Sequence, residues 1–376
     1  MKLCVTTASG IEAVTKRELY KILEKDNLSA LNGRISFDGD VKEIAKCNLL
    51  LRTANRVEII LGEFKADTFD DLFDGIGSIP FENFISSDGQ IVVTAKSVQS
   101  KLFAYSAIQS ISKKAICERL SKKYNVNQLP ENGARYKIEV AILKDYVTVT
   151  LDTSGEGLHR RGYRGLVGEA PLKETLASAL IQLTVWNKTR PLADLFCGSG
   201  TIPIEACMIA LNIPAGRNRT FDFLSWKGFD NGQFAAVREE AESNIQWDDE
   251  VRISGFDIDE KQIELARKHA KLAGVEKYIH LQRADMRNFS SRYSHGIIIS
   301  NPPYGERLSD RKGIESLYRD YGKVVNGLND WCAYTLTSVD DFERLFGKRA
   351  DKKRKIYNGK IECNFYSHLA PPPIKK

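Results

Sequence analysis

Across its 376 residues the sequence has no run of about 18 apolar residues, the length a membrane-spanning helix needs. Its first residues, MKLCVTTASGIEAVTKRELY, reach Glu12 before any secretory apolar core could form. It has no CxxC pair. Seven cysteines lie singly at positions 4, 47, 117, 197, 207, 332 and 363. That pattern indicates neither a zinc site nor a disulfide framework, and no metal is expected; a reducing, cytoplasmic setting follows. A GxxxxGK(S/T) motif is missing, which argues against a phosphate-gripping loop. No low-complexity tract and no repeat period occur, which excludes collagen-like, wholly disordered and solenoid chains. Large charge excess is missing too. Lys and Arg number 55 against 49 Asp and Glu, a net +6. The excess is shared evenly by the two sides of residue 165, so a polyanionic partner must be argued from local clusters.

What remains reads as a globular chain of two or three domains, at roughly 150 residues per domain. Residues 1–64 form a small α+β unit: strand KLCVTT, a helix with Ser9 and Glu12 at capping-box spacing, strand RISFDGD, helix VKEIAKCNLLLRTA and strand RVEIILGEF. Residues 65–155 continue in the same style. The helix SAIQSISKKAICERLSKKY sets Ile108, Ile111, Ala115, Ile116 and Leu120 on one face and Lys113, Lys114, Arg119, Lys122 and Lys123 on the other. Residues 156–170, rich in glycine and carrying Arg160, Arg161 and Arg164, read as a linker. Pro171 suits a first helical position. From 171 to 376 short apolar strands alternate with helices, the mark of a doubly wound parallel sheet. Asn358-Gly359 between two strand-like runs adds an antiparallel C-terminal hairpin. The fold class is therefore α/β, preceded by α+β domains.

Four strand ends carry the chemistry. Asp194-Leu-Phe-Cys-Gly198-Ser199-Gly200-Thr201 lies between a strand and a helix, where open α/β sheets bind ligands. Gly198 and Gly200 permit a tight turn and close approach. The dinucleotide spacing fails, because residue 203 is Pro. Asp257, 57 residues beyond Gly200, is placed to accept from ribose hydroxyls, which makes residues 212–250 an insertion. Asp259 suits a helix N-cap, and Asp257 does so less well. Asp285 after YIHLQR is placed to accept from an adenine amine, although an Asp there is also common turn chemistry. Asn301-Pro302-Pro303-Tyr304 follows the apolar strand GIIIS. The prolines stiffen the turn. Asn301 and the Pro302 carbonyl offer acceptors to an exocyclic NH2 group, and Tyr304 a flat face for a base.

DLFCGSGTI, GFDID, the Ala284-Asp285 pair and NPPY, in this order, resemble the motifs of class I S-adenosylmethionine-dependent methyltransferases. NPPY is similar to the form that acts on exocyclic amines of bases. With LDTSGEGLHRRGYR, APLKETLASAL, CNLLLRTANRVEIILGEFKADTFDDLF and SAIQSISKKAICERL, nearly the whole chain resembles the bacterial THUMP-containing guanine-N2 methyltransferases of 23S ribosomal RNA. Leu195 departs from the usual Pro after Asp. The resemblance implies a ferredoxin-like domain (1–64), a THUMP RNA-binding domain (65–155) and a Rossmann-like methyltransferase domain (171–376). It implies a cofactor site of Asp194, Phe196, Cys197, Gly198, Ser199, Gly200, Thr201, Asp257, Ile258, Asp285, Met286 and Asn301. It implies a catalytic turn of Asn301, Pro302, Pro303 and Tyr304, with the methyl already activated by the sulfonium. Its partner would be RNA, most simply 23S rRNA or a ribosome assembly intermediate, in rRNA processing. Phosphate contacts would come from Lys113, Lys114, Arg160, Arg161 and Arg164. Lys348–Lys355, with six cations in eight residues, is a second cluster that also reads as a solvated surface. A tRNA guanine, an adenine N6, or a non-catalytic RNA-binding assembly factor remain alternatives.

Overall fold

The computed structural model describes residues 1–31, 33–164, 172–247, 250–305 and 311–371. Pro171 and the end of the expected linker, 165–170, lie outside the described residues. The chain divides into two compact units.

The first unit holds Met1–Thr7, Leu19–Leu158 and Arg219–Glu240. It contains β1 (Lys2–Thr7), the end of α1 (Glu12–Leu23), β2 (Ser29–Leu31), β3 (Arg34–Asp38), α2 (Val41–Leu50), β4 (Ala54–Lys65), α3 (Phe69–Gly77), β5 (Gln90–Val98), α4 (Tyr105–Tyr124), β6 (Arg135–Leu143) and β7 (Tyr146–Asp152). The strands form one sheet in the order β2-β3-β1-β4-β7-β6-β5. The twelve-residue β4 makes it continuous: it pairs with β1 through Leu3↔Ile59 and with β7 through Lys65↔Tyr146. Alternation in β6 buries Tyr136, Ile138, Val140 and Ile142, as a period of two requires. Capping boxes start α2 at Asp40/Glu43 and α3 at Thr68/Asp71. The box expected at Ser9 gives way to a later start. Here α1 begins at Glu12, whose carboxylate accepts the Gly10 N–H at 2.9 Å.

The stretch 219–240, expected as an insertion in the last domain, belongs to this first unit. Trp226 donates its indole N–H to the Arg135 carbonyl at 2.8 Å and stacks on Tyr136 with ring centroids 5.0 Å apart. Phe221, Phe223, Phe229 and Phe234 pack around one another beside it, before and within the start of α7 (Asn231–Ser243).

The second unit holds Ala8–Glu18, His159–Asn218 and the chain from Ala241. It contains α5 (Glu174–Leu183), β8 (Leu192–Asp194), α6 (Thr201–Ala210), β9 (Ile253–Asp257), α8 (Glu260–Leu272), β10 (Ile279–Arg283), β11 (Ile297–Ser300), α9 (Arg311–Asn326), β12 (Cys332–Thr337), α10 (Phe342–Phe346), β13 (Lys352–Asn358) and β14 (Ile361–His368). The sheet order is β10-β9-β8-β11-β12-β14-β13. The first five strands are parallel, and β14 runs antiparallel to both neighbours. This is the expected doubly wound sheet ending in a hairpin. Its central strands are apolar along their length because helices cover both faces. Ile297 and Ile299 pack into one core, Ile298 into the other. The hairpin turns one residue later than Asn358-Gly359 suggested. Asn358 pairs with Ile361, so the loop is Gly359-Lys360, with Gly359 at φ +65°.

Candidate functional site at the carboxyl ends of β8, β9 and β11

The parallel strands end side by side, and the four motifs meet there. Asp194 ends β8 with 1% of its surface exposed. Its carboxylate accepts the Phe196 N–H at 3.1 Å, and burial pushes its pKa up to about 7. The turn that follows is held from three sides. Leu195 N–H donates to Ser300 Oγ at the end of β11 at 3.1 Å. Cys197 N–H donates to the Phe256 carbonyl of β9 at 2.9 Å, and Gly198 N–H to Asp257 Oδ2 at 3.0 Å.

The two glycines serve different ends. Gly200, at φ +84°, lies so close to α8 that an added Cβ would sit 2.9 Å from the Ala266 Cβ. Gly198, at φ +49°, has open space where its Cβ would point, with nothing within 4 Å. The one fits the turn to the helix; the other leaves the backbone bare to a ligand. Ser199 offers its carbonyl 3.1 Å from His269 Nδ1. Thr201 opens α6 and receives a hydrogen bond from Arg164.

Asp257 is only half-buried, and its second oxygen accepts the Asp259 N–H at 3.0 Å. Asp259 caps α8 through Lys261 N–H at 2.9 Å. Ile258 next to it is 63% exposed, an apolar surface at the mouth of the site. Asp285 is turned to Arg287, accepting its N–H at 2.9 Å and pairing with its guanidinium at 3.0 Å. Met286 is 4% exposed and its side chain packs in the core beside Ala193 and Ile298, which leaves its backbone as the part that can face a ligand. Phe196 is half-buried against Tyr321, edge to face at 5.3 Å. Cys197 is buried, and that burial raises its thiol well above the ordinary range.

At the end of β11, Pro302 is buried and Pro303 exposed, with Asn301 and Tyr304 half-buried. The Tyr304 hydroxyl donates to Asn301 Oδ1. Burial raises the Tyr304 pKa, so the hydroxyl stays protonated. The Pro303 carbonyl accepts from Tyr318 at 3.2 Å, and the Tyr318 hydroxyl lies 2.7 Å from Thr337 Oγ1. Tyr318 and Ser300 are supports that sequence reasoning missed; each follows or precedes the motif as an unremarkable core residue.

The basic residues divide. Lys113 pairs with Glu131 at 2.8 Å and Lys114 lies 3.8 Å from Glu118, both with substantial exposure. Arg119 is a structural tie, gripping Glu82 at 2.7 Å and the Gly77 carbonyl at 2.9 Å. Arg160 is exposed. Arg161 is not a phosphate contact: it is 2% exposed, and its guanidinium meets Glu205, itself fully buried, at 3.3 Å. Tyr163 at 3.0 Å and Ser178 also donate to Glu205. Arg164 turns inward too, to Glu174 at 3.3 Å and to the Leu172 carbonyl at 3.2 Å. Buried carboxylates claim these two cations.

Residues 161–367 match the family described as RMKL-like, methyltransferase domain. Residues 2–58 match the RlmL ferredoxin-like domain and 66–152 the THUMP domain. YpsC of Bacillus subtilis (strain 168), named as a candidate RNA methyltransferase, is 41% identical over 369 residues, covering 97% of this chain and 95% of its own. The ribosomal RNA large subunit methyltransferase K/L of Psychromonas ingrahamii is 32% identical over 98% of this chain but only 50% of its own length. This chain therefore spans about half of that relative. Among solved structures, SMU.472, a candidate methyltransferase complexed with SAH, superposes with a TM-score of 0.94 at 43% identity, covering 99% of this chain and 98% of that one. Among the described residues, no helix is long and apolar enough to cross a membrane.

Proposed function

The chain belongs to the RMKL-like methyltransferase family, and on that footing we propose that it methylates the exocyclic N2 amine of a guanine in 23S ribosomal RNA. Its class is S-adenosylmethionine-dependent RNA methyltransferase; the base, the atom and the RNA are our reading.

The residues present fit the cofactor. The bare space over Gly198 accommodates a ligand against the backbone. Asp257 keeps lone pairs for ribose hydroxyls beyond the N–H groups it already accepts. Ile258 offers an apolar face beside it. Asp285 would reach an adenine amine by sharing its carboxylate with Arg287. When bound, S-adenosylmethionine supplies a methyl group on an electrophilic sulfonium.

One observation carries the reading: Leu195 N–H bonds to Ser300 Oγ, so the glycine turn and the Asn301–Tyr304 turn leave adjacent strands as one rigid edge. A base seated on the second turn faces a ligand seated on the first. Asn301 Oδ1 and the Pro302 carbonyl accept the amine N–H groups and orient its nitrogen. On base entry the amine replaces the Tyr304 hydroxyl at Asn301 Oδ1, and the ring of Tyr304 stacks. Alignment of this kind contributes up to about 7–11 kcal/mol to the barrier reduction. A base in structured RNA must first be unstacked, at a cost of a few kcal/mol.

The likeness to the K/L relative over nearly this whole chain supports rRNA, and the THUMP match supports RNA over DNA. The functional division we adopt is 1–64, 65–155, a linker over 156–170, and 171–376. The test is to incubate the protein with S-adenosylmethionine and 23S rRNA or tRNA lacking the modification, then digest and identify the methylated nucleoside by mass spectrometry. N2-methylguanosine from 23S rRNA is expected. N6-methyladenosine, or product from tRNA alone, would replace this reading with those alternatives, and no product from any RNA would leave a binding role.

A further inference from the structure

The β13–β14 hairpin stands where it can meet the substrate. Ser300 on β11 lies level with Thr335, and two residues further on Thr337 is level with Asn364 and, through it, with Lys355. The hairpin therefore rises three residues past Lys355 to Asn358, about 10 Å at ~3.3 Å per residue, on the side from which the Asn301 turn leaves. It reaches that turn: the Cys363 thiol and the Asn358 side chain sit beside the Tyr304 hydroxyl, and the Tyr304 ring packs on the core that includes Ile356, Cys363 and Phe365.

The same hairpin is strongly cationic. β13 is the edge strand of its sheet, and Lys352 to Lys355 are all exposed along it. Lys348, Arg349 and Lys360 flank them, also exposed. Few acids answer this charge. Lys355 pairs with Glu362 at 2.7 Å, while Asp351 is taken up by the Leu369 N–H at 2.7 Å. Among the described residues, Lys348, Arg349, Lys352 and Lys360 make no ion pair. Lys353 lies over the Tyr366 ring and Arg354 bonds to the Gly10 carbonyl, so these two are partly committed.

We propose that this hairpin is a substrate clamp: Asn358 and Cys363 wall the base site behind Tyr304, and Lys348, Arg349, Lys352 and Lys360 hold the RNA phosphates flanking the target nucleotide. The proposal rests on the RNA reading above and deepens it, by placing a backbone grip on the methyltransferase unit itself. Cations on an edge strand have another use, which is to discourage pairing with a second strand. The sign of the charge separates the two uses. Edge protection works with either sign, whereas a phosphate grip works only with positive charge.

The experiment uses the full chain carrying Lys348→Glu, Arg349→Glu and Lys352→Glu together. The probe is a fluorescently labelled 23S rRNA fragment that the wild type methylates, titrated at several salt concentrations. The clamp predicts at least a tenfold weaker affinity and a shallower dependence of affinity on salt, with the oligomeric state and calorimetric S-adenosylmethionine affinity the same as in the wild type. Asn358→Ala tests the wall separately, and is expected to raise the KM for RNA with cofactor affinity unchanged. Wild-type affinity and salt slope in the folded triple variant would overturn the clamp and leave the RNA reading standing. A wild type that neither binds nor methylates any RNA would overturn both.

Discussion

Asp257 Oδ2 accepts the Gly198 N–H at 3.0 Å, so the acid at the end of β9 also holds the glycine turn after β8. Loss of Asp257 should then act twice. Asp257→Ala removes the ribose acceptor and frees the turn. S-adenosylmethionine affinity should fall by about 1.5–3 kcal/mol, the range for hydrogen bonds to charged groups. Calorimetry measures it, and an unchanged affinity in a folded variant would take Asp257 out of the site.

Gly198→Ala asks a complementary question. The added methyl meets no protein atom within 4 Å, so it costs only the left-handed backbone conformation, about 1–2 kcal/mol. The variant should fold and still lose cofactor affinity, because the methyl occupies the space a ligand needs. Retained affinity would show that no ligand approaches there.

The Arg161–Glu205 pair should govern stability. With side chains 1% and 0% exposed, removing one partner strands a buried charge. Arg161→Met is expected to lower unfolding free energy by about 3–5 kcal/mol, and Arg161→Met combined with Glu205→Met by less than the sum of the two single changes. Urea denaturation checks both. A stable Arg161→Met variant with weakened RNA binding would restore Arg161 to the RNA surface.

That pair also shows where the sequence stops being legible. The strand-helix alternation, the glycine turn and NPPY stand in local order, and each could be read from its neighbours. Arg161 and Arg164 could not. An arginine-rich stretch looks the same whether it meets phosphates or buried carboxylates, and Glu205 lies 44 residues from Arg161. Arg219–Glu240 was equally opaque, because Trp226 finds its carbonyl partner at Arg135, 91 residues back. Met286 shows a different limit: adjacency to Asp285 says nothing of which way its side chain turns, and it turns into the core. The hairpin loop slipped by one because Gly359, not Asn358, takes the first positive-φ position.

Two buried carboxyls set a pH dependence. Burial raises Glu58 from 4.5 to about 7 and Asp194 from 3.8 to about 7. A raised acid binds its proton more tightly in the folded state. Stability is therefore greatest at low pH as far as these groups go, falls as pH rises from about 4 towards 7, and levels off above that. Each contributes a slope of up to about 1.4 kcal/mol per pH unit within the window. Glu58→Gln removes one such group. The free energy of unfolding of wild type relative to Glu58→Gln should decline from pH 5 to pH 8, and a constant difference would show that Glu58 ionises freely.

The base turn gives the sharpest separation of roles. Asn301→Ala removes the side-chain acceptor aimed at the amine but leaves the Pro302 carbonyl. The loss should appear in kcat, on the order of 10²-fold, as for other preorganised polar groups whose value lies in the transition state. Tyr304→Ala removes the stacking face, worth about 1–3 kcal/mol, with little change in cofactor affinity. Tyr304→Phe is the informative variant. It keeps the ring and deletes the hydroxyl that donates to Asn301 Oδ1, so the incoming amine no longer competes for that oxygen. It should retain much of the activity, with a KM for RNA no higher than wild type. Single-turnover methylation with each variant measures this. If Tyr304→Phe proved as inactive as Tyr304→Ala in a folded protein, stacking would fail as the role of this side chain. The hydroxyl, rather than the ring, would then be what positions Asn301 for the amine.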